Sequence, residues 1–218
     1  MRRRVQWWWL GCALGWAATA SAAGLVVVSK APAAVTIDGD LGEWSGSPIR
    51  FDHTMLADAT NVQDDRDLSG DVYVAYDSRY FYLAAAVTDD RLVMERSSGD
   101  LWQTDALEFW LGDQQFGFSL GGKEQRSIYA TGWNDVDMRG ARFVVVKRAN
   151  GYNVETALPL AALSQALGQT LQPGARVPFA VGADDADVPG GNREGQEYFP
   201  PGYQWKRTDT FATAVLEK

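Results

Sequence analysis

The densest set of chemically useful side chains lies between Asp100 and Leu111, where Trp102, Trp110, Asp105 and Glu108 surround an alternating apolar run. Indole faces offer platforms for apolar ligand surfaces, whereas carboxylates accept hydrogen bonds or bind hard cations. From Ala106 the alternation places Leu107, Phe109 and Leu111 on one face of a strand and Ala106, Glu108 and Trp110 on the other. This pattern suits a sheet with one face in the core and the other toward ligand or water. Trp102 and Asp105 fall just before the strand, at its rim, where β proteins carry binding groups.

Other acidic clusters are Asp89 with Asp90, and Asp184 with Asp185 and Asp187; Asp38 and Asp71 are weaker candidates. Clustered Asp supplies the oxygen ligands that calcium requires, although no EF-hand spacing occurs. Catalytic constellations are poor. The single His53 cannot build a histidine-rich zinc site, and neither H-E-x-x-H nor a nucleophile elbow appears.

These groups need elements to position them. With 218 residues, 46% hydrophobic and 22% charged, the chain suffices for one well-filled core. Its first 22 residues differ from the rest: a basic Arg2-Arg3-Arg4, an apolar Val5–Ala18 and a small-residue Ala20-Ser21-Ala22. This is read as a secretory signal peptide, because the apolar run is shorter than the about 20 residues that span a bilayer. Its removal takes Cys12, the only cysteine, and shifts the formal charge from −8 to −11. An acidic chain argues against nucleic acid or an anionic membrane as partner. It is therefore expected in the periplasm or outside the cell, without disulfides.

Residues 23–34 are read as a tether or first strand. Val35 to Ile37 reads as a short strand turning at Asp38-Gly39, and Ser45 to Gly70 as a long surface loop. Strands are predicted over Asp71–Tyr76, Tyr80–Thr88, Phe116–Leu120, Ser127–Ala130, Ala141–Lys147, Tyr152–Leu158, Val177–Ala183 and Phe211–Leu216, with a hairpin at Asn150-Gly151. A single helix is predicted from Leu160 to Leu167, after Pro159 and before Gly168. Many short strands and one short helix describe an all-β antiparallel sandwich of Greek-key or jelly-roll kind.

Ile37-Asp38-Gly39 with Trp44, and Val72-Tyr73-Val74-Ala75-Tyr76-Asp77 with Tyr80-Phe81-Tyr82-Leu83, resemble the opening of family 9 carbohydrate-binding modules. The resemblance continues through Trp102, Asp105 and Glu108, Gly151 to Glu155, Phe179 to Asp185, and Trp205 ahead of Phe211, and so covers residues 35–218. It implies a calcium-containing, DOMON-like β-sandwich that binds a poly- or oligosaccharide without cleaving it, alone or beside a separate enzyme subunit. It also implies that Trp102 and Trp205 sandwich the sugar while Glu108 accepts from its hydroxyls. Gly117 and Ser119 stand where sugar-binding members carry an arginine and an asparagine, and Gly182 falls near a family glutamine. Altered specificity, weak binding or a loss of sugar binding is expected. Gln103, Lys123 and Arg126 are the nearby polar side chains expected to substitute, and Asp89, Asp90, Asp184, Asp185 and Asp187 are the expected calcium ligands.

Two other classes fit the same sandwich. Relatives of DOMON type hold haem, for which His53, Met55, Met94, Met138 and Lys123 are the available ligands. An adhesion subunit would use the same surface for a protein partner.

Overall fold

The computed structural model describes residues 24–31, 35–59, 61–96, 98–120, 127–132 and 136–218. The segment read as a signal peptide, Cys12, Lys123 and Arg126 lie outside the described residues. Among the described residues there are thirteen strands: β1 (Leu25–Lys30), β2 (Ile49–Phe51), β3 (Leu56–Ala59), β4 (Leu68–Tyr76), β5 (Tyr80–Asp89), β6 (Ala106–Leu111), β7 (Gln114–Ser119), β8 (Ser127–Gly132), β9 (Arg142–Arg148), β10 (Gly151–Pro159), β11 (Arg176–Asp185), β12 (Gly195–Phe199) and β13 (Ala212–Leu216). One short helix, α1 (Leu160–Ala166), follows β10.

The strands run in the order β8-β7-β6-β11-β13-β1-β4-β5-β10-β9, with β2 beside β4, and β12 beside β11 and β3. This path folds into two layers because β1 belongs to both. Leu25 to Val28 lie parallel to β13, and Ser29 and Lys30 lie parallel to β4. All other pairings are antiparallel, so the expected sandwich is present with a parallel strand as its hinge.

The core lies between the layers. Phe109 stacks on Phe116 at 4.8 Å and lies 6.3 Å from Phe81 of the opposite layer. Each such ring, removed from water, contributes roughly 1.5–3 kcal/mol. The helix closes one end with buried Leu160 and Leu163, and the Ser164 hydroxyl donates to Leu160 O at 2.8 Å.

Two predicted segments differ. Val35 to Ile37 forms no strand; with Asp38 to Trp44 it makes a strap over the outer face of the β4–β5–β10–β9 layer. Glu155 of β10 holds it: the carboxylate accepts from Asp38 N at 2.9 Å, Gly39 N at 2.6 Å and Trp44 Nε1 at 2.8 Å. Gly39 is required there, since its φ is 89° and a Cβ would lie 2.3 Å from Val146 Cγ2. The stretch from Ser45 to Gly70 is not simply a loop. It contains β2 and β3, and fully buried Phe51 lies against Gly70, where a Cβ would stand 2.2 Å from the ring.

Candidate functional site

Strand alternation in β6 is as read from the sequence. Leu107, Phe109 and Leu111 enter the core, and Glu108 and Trp110 face away from it. That second face is nevertheless covered: Glu108 and Trp110 are each 1% exposed. The cover comes from the C-terminal region. Tyr198 of β12 stacks on Tyr203 at 4.0 Å, Tyr203 on Phe211 at 5.4 Å, and Phe211 packs on Trp110 at 5.7 Å.

Register explains the pocket around Glu108. Gly117 of β7 and Gly182 of β11 are its cross-strand neighbours, so neither flank carries a side chain. The Tyr198 ring occupies the space over Gly182, within 2.6 Å of where a Cβ would be. Tyr198 donates its hydroxyl to Glu108 Oε2 at 2.5 Å, and Gln115 Nε2 donates to Oε1 at 3.2 Å. Burial pushes the Glu108 carboxyl up to about 7.

One outward-facing step toward the rim, Ala106, Asp184 and Gln196 stand side by side. Asp184 Oδ1 accepts from Arg193 Nη1 at 3.1 Å and from Gln196 Nε2 at 2.6 Å, while its buried Oδ2 has no partner. The Arg193 guanidinium lies over the Trp102 indole, 5.3 Å from its centroid, a cation–π contact that fixes both groups. Trp102 sits on a 3-10 helix spanning Ser98–Gln103 and is 43% exposed. Gln103, beside it, is half-buried, with Nε2 3.5 Å from Asp100 Oδ1. Trp205, in the loop between β12 and β13, is 62% exposed, with Lys206 Nζ 4.2 Å from its ring centroid. Among the described residues these are the two exposed tryptophans; Trp44 is held by Glu155 and Trp110 is buried.

The acidic groups gather at the end of the sandwich where β4 starts and β5, β6 and β11 meet. Carboxylate oxygens of Asp89, Asp105 and Asp185 lie within 4.8 Å of one another, and so do those of Asp67, Asp185 and Asp187. Asp89 comes from one layer and Asp105 and Asp185 from the other, so a bound ion would join the layers. Asp105 also accepts from Ala186 N at 2.8 Å and from Val93 N, tying two loops to the site. Burial first, then mutual charge, raises Asp89 to about 7, Asp105 to about 9 and Asp185 to about 8. Asp89 Oδ2, Asp185 Oδ1 and Asp187 Oδ1 are buried without a partner. All-oxygen donors with orphaned atoms fit calcium better than a soft metal.

This set differs from the expected one. Asp89, Asp185 and Asp187 are in it; Asp67 and Asp105 join them. Asp184 faces the other way, onto Arg193, and Asp90 is exposed and belongs to neither triad. Asp38 Oδ1 accepts from Asp40 N within its own turn, and Asp71 pairs with Arg50 at 3.3 Å. Of the groups considered for haem, Lys123 lies outside the described residues. Met94 is in the core, Met55 and Met138 pack against it, and exposed His53 holds Asp65 through Nδ1. Arg193 and Gln196 carried no sequence signal. They sit in a Gly-rich loop and on a short strand, and only pairing with β11 brings them to Trp102.

The family model described as "Carbohydrate family 9 binding domain-like" matches residues 37–218. The chain belongs to this family. It is thus a carbohydrate-binding domain and not an enzyme. Among solved structures it is similar to a carbohydrate binding module family 9 from Caldicellulosiruptor kristjanssonii in complex with cellotriose: 16% identity, TM-score 0.64, covering 88% of this chain and 93% of that one. The same module in complex with glucose gives 16% identity and TM-score 0.64, covering 88% and 95%. A putative carbohydrate-binding protein from Bacteroides uniformis gives 12% identity and TM-score 0.55, covering 89% and 99%. At these identities the likeness is one of fold. No curated protein matches the chain.

Proposed function

We propose that this domain, exported to the periplasm or beyond, holds a poly- or oligosaccharide by stacking it on Trp102 and Trp205. Glu108, Gln103 and the neighbouring polar side chains set the shape and polarity of the site. The observation that carries this reading is the pair of exposed indoles, Trp102 on its 3-10 helix against Arg193 and Trp205 in the loop after β12, in a chain where the other described tryptophans are spent on packing or anchoring. Sugars present apolar C–H faces and hydroxyl edges, and exposed indoles beside fixed polar groups match both. The similar module's complexes with cellotriose and glucose make these the first ligands to test.

Calcium belongs to the same proposal, as a structural ion held by Asp89, Asp105 and Asp185 with Asp67 and Asp187 beside them. It would neutralise carboxylates that otherwise repel one another, and would staple the two layers in a domain without disulfides. Such a module can serve a separate glycoside hydrolase by keeping it at its polymer. Isothermal calorimetry with glucose and cellotriose, on the wild type and Trp102→Ala, tests the binding reading. Affinity unchanged by that substitution removes the stacking platform.

A further inference from the structure

We infer that reading of the sugar's hydroxyl edge has moved in this chain from Glu108 to Arg193 and Gln196, held by Asp184, and that the site selects a neutral sugar over a uronate. This rests on the stacking site proposed above.

Glu108 is poorly placed to meet a ligand directly. It is 1% exposed, and each of its oxygens already accepts from the protein, one from Tyr198 and one from Gln115. Its glycine neighbour at 182 cannot regain a side chain, because Tyr198 and the Glu197 carbonyl fill that space. The row nearer the rim is built differently. Asp184 fixes both Arg193 and Gln196 through one oxygen, and Arg193 is fixed a second time by the Trp102 indole. The Arg193 side chain is 16% exposed, and Gln196 is half-buried. An aromatic platform, a planar donor and an amide therefore meet at one edge, held before any ligand arrives. A sugar ring on the open part of the indole would turn its edge toward them. One hydroxyl oxygen then accepts from the guanidinium, and the adjacent hydroxyl donates to the Gln196 amide oxygen, so that a vicinal diol is read.

The charge of this edge decides the ligand class. Arg193 already faces Asp184, and Glu108 lies close behind it. A uronate would have to compete with Asp184 for the Arg193 guanidinium, whereas neutral hydroxyls meet no such opposition.

The test is calorimetry on the full chain with glucose, cellotriose and glucuronate, for the wild type, Arg193→Lys, Arg193→Ala, Gln196→Ala and Trp102→Ala, with circular dichroism reporting folding. Arg193→Lys keeps the charge and loses the planar fork, so it remains informative if Arg193→Ala is misfolded. The expected result is neutral-sugar binding weakened about tenfold or more by either Arg193 variant, less by Gln196→Ala, and lost with Trp102→Ala. If Trp102→Ala abolishes binding while both Arg193 variants stay within about twofold of wild type, the inference fails and the stacking site stands. Glucuronate binding more tightly than glucose overturns the selection for neutral sugars. A wild type that binds none of the three, or binding indifferent to Trp102, defeats the stacking reading and this inference with it.

Discussion

Asp184 and Asp185 are consecutive residues of β11, 0% and 2% exposed, and they end in opposite chemistry. Asp184 points away from the core, where Arg193 and Gln196 meet one of its oxygens. Asp185 points between the layers, where the nearest groups are the carboxylates of Asp89 and Asp105 on one side and Asp67 and Asp187 on the other. A pleated strand sends successive side chains to opposite faces, so one residue of separation is enough to divide the Arg193 side from the carboxylate cluster. What differs is the company each carboxylate keeps: a guanidinium for Asp184, and chiefly other carboxylates for Asp185.

The largest expected effect belongs to the Asp185 side. Calcium at about 100 to 1,000 times its Kd adds about 3–4 kcal/mol of stability, or a rise in Tm on the order of 10 °C for a chain of this size. Scanning calorimetry with calcium and with chelator measures it. Asp185→Asn should abolish the response and Asp184→Asn should preserve it; equal loss in both would break the contrast between the two faces.

Next comes the strap. Glu155→Ala strands two backbone N–H groups and the Trp44 indole N–H, at a cost of about 2–4 kcal/mol. Urea denaturation measures it, and calcium should still stabilise the variant, because the strap lies on the outer face of its layer whereas the carboxylates gather between the layers.

On the ligand face, Trp102→Ala should weaken sugar binding by about 2 kcal/mol, roughly thirtyfold. The melting response to calcium should be unaltered, since Trp102 touches none of the carboxylate triads. Sugar affinity from calorimetry and the calcium-dependent Tm shift, measured on the same protein, separate the two sites.

The smallest effect is a pH dependence. Glu108 is raised in the folded state to about 7 from the ordinary 4.5, so the folded chain holds a proton that the unfolded chain releases. Its contribution is fully present below the unfolded value and is lost as pH rises through about 7. Glu108→Gln removes this dependence while keeping an acceptor for Tyr198. Relative to wild type the variant should be more stable at pH 8 than at pH 5, as denaturation at the two pH values would show; a constant difference would mean that Glu108 is ionised throughout.

Much of this was legible in the residues. Alternation in β6 sorted Leu107, Phe109 and Leu111 from Glu108 and Trp110, and the Asn150-Gly151 turn and the Pro159-to-Gly168 helix came out as read. The family pattern singled out the two tryptophans that prove to be exposed. Less legible were β2 and β3, because polar spacing hid Phe51, whose burial depends on a glycine in another strand. The carboxylate cluster was half legible: Asp105 was marked, but its joining Asp89 and Asp185 depends on loops tied by Val93 and Ala186.

By itself the sequence determined the class of fold, the apolar face of strands such as β6 and the kinds of group available for binding, since these follow from local periodicity and composition. Only the tertiary structure decided which carboxylate meets a guanidinium and which meets other carboxylates. It also put the Tyr198 ring over Gly182, and Arg193 over Trp102, 91 residues away. Such choices depend on strand register, and register is set by pairing across the whole sheet.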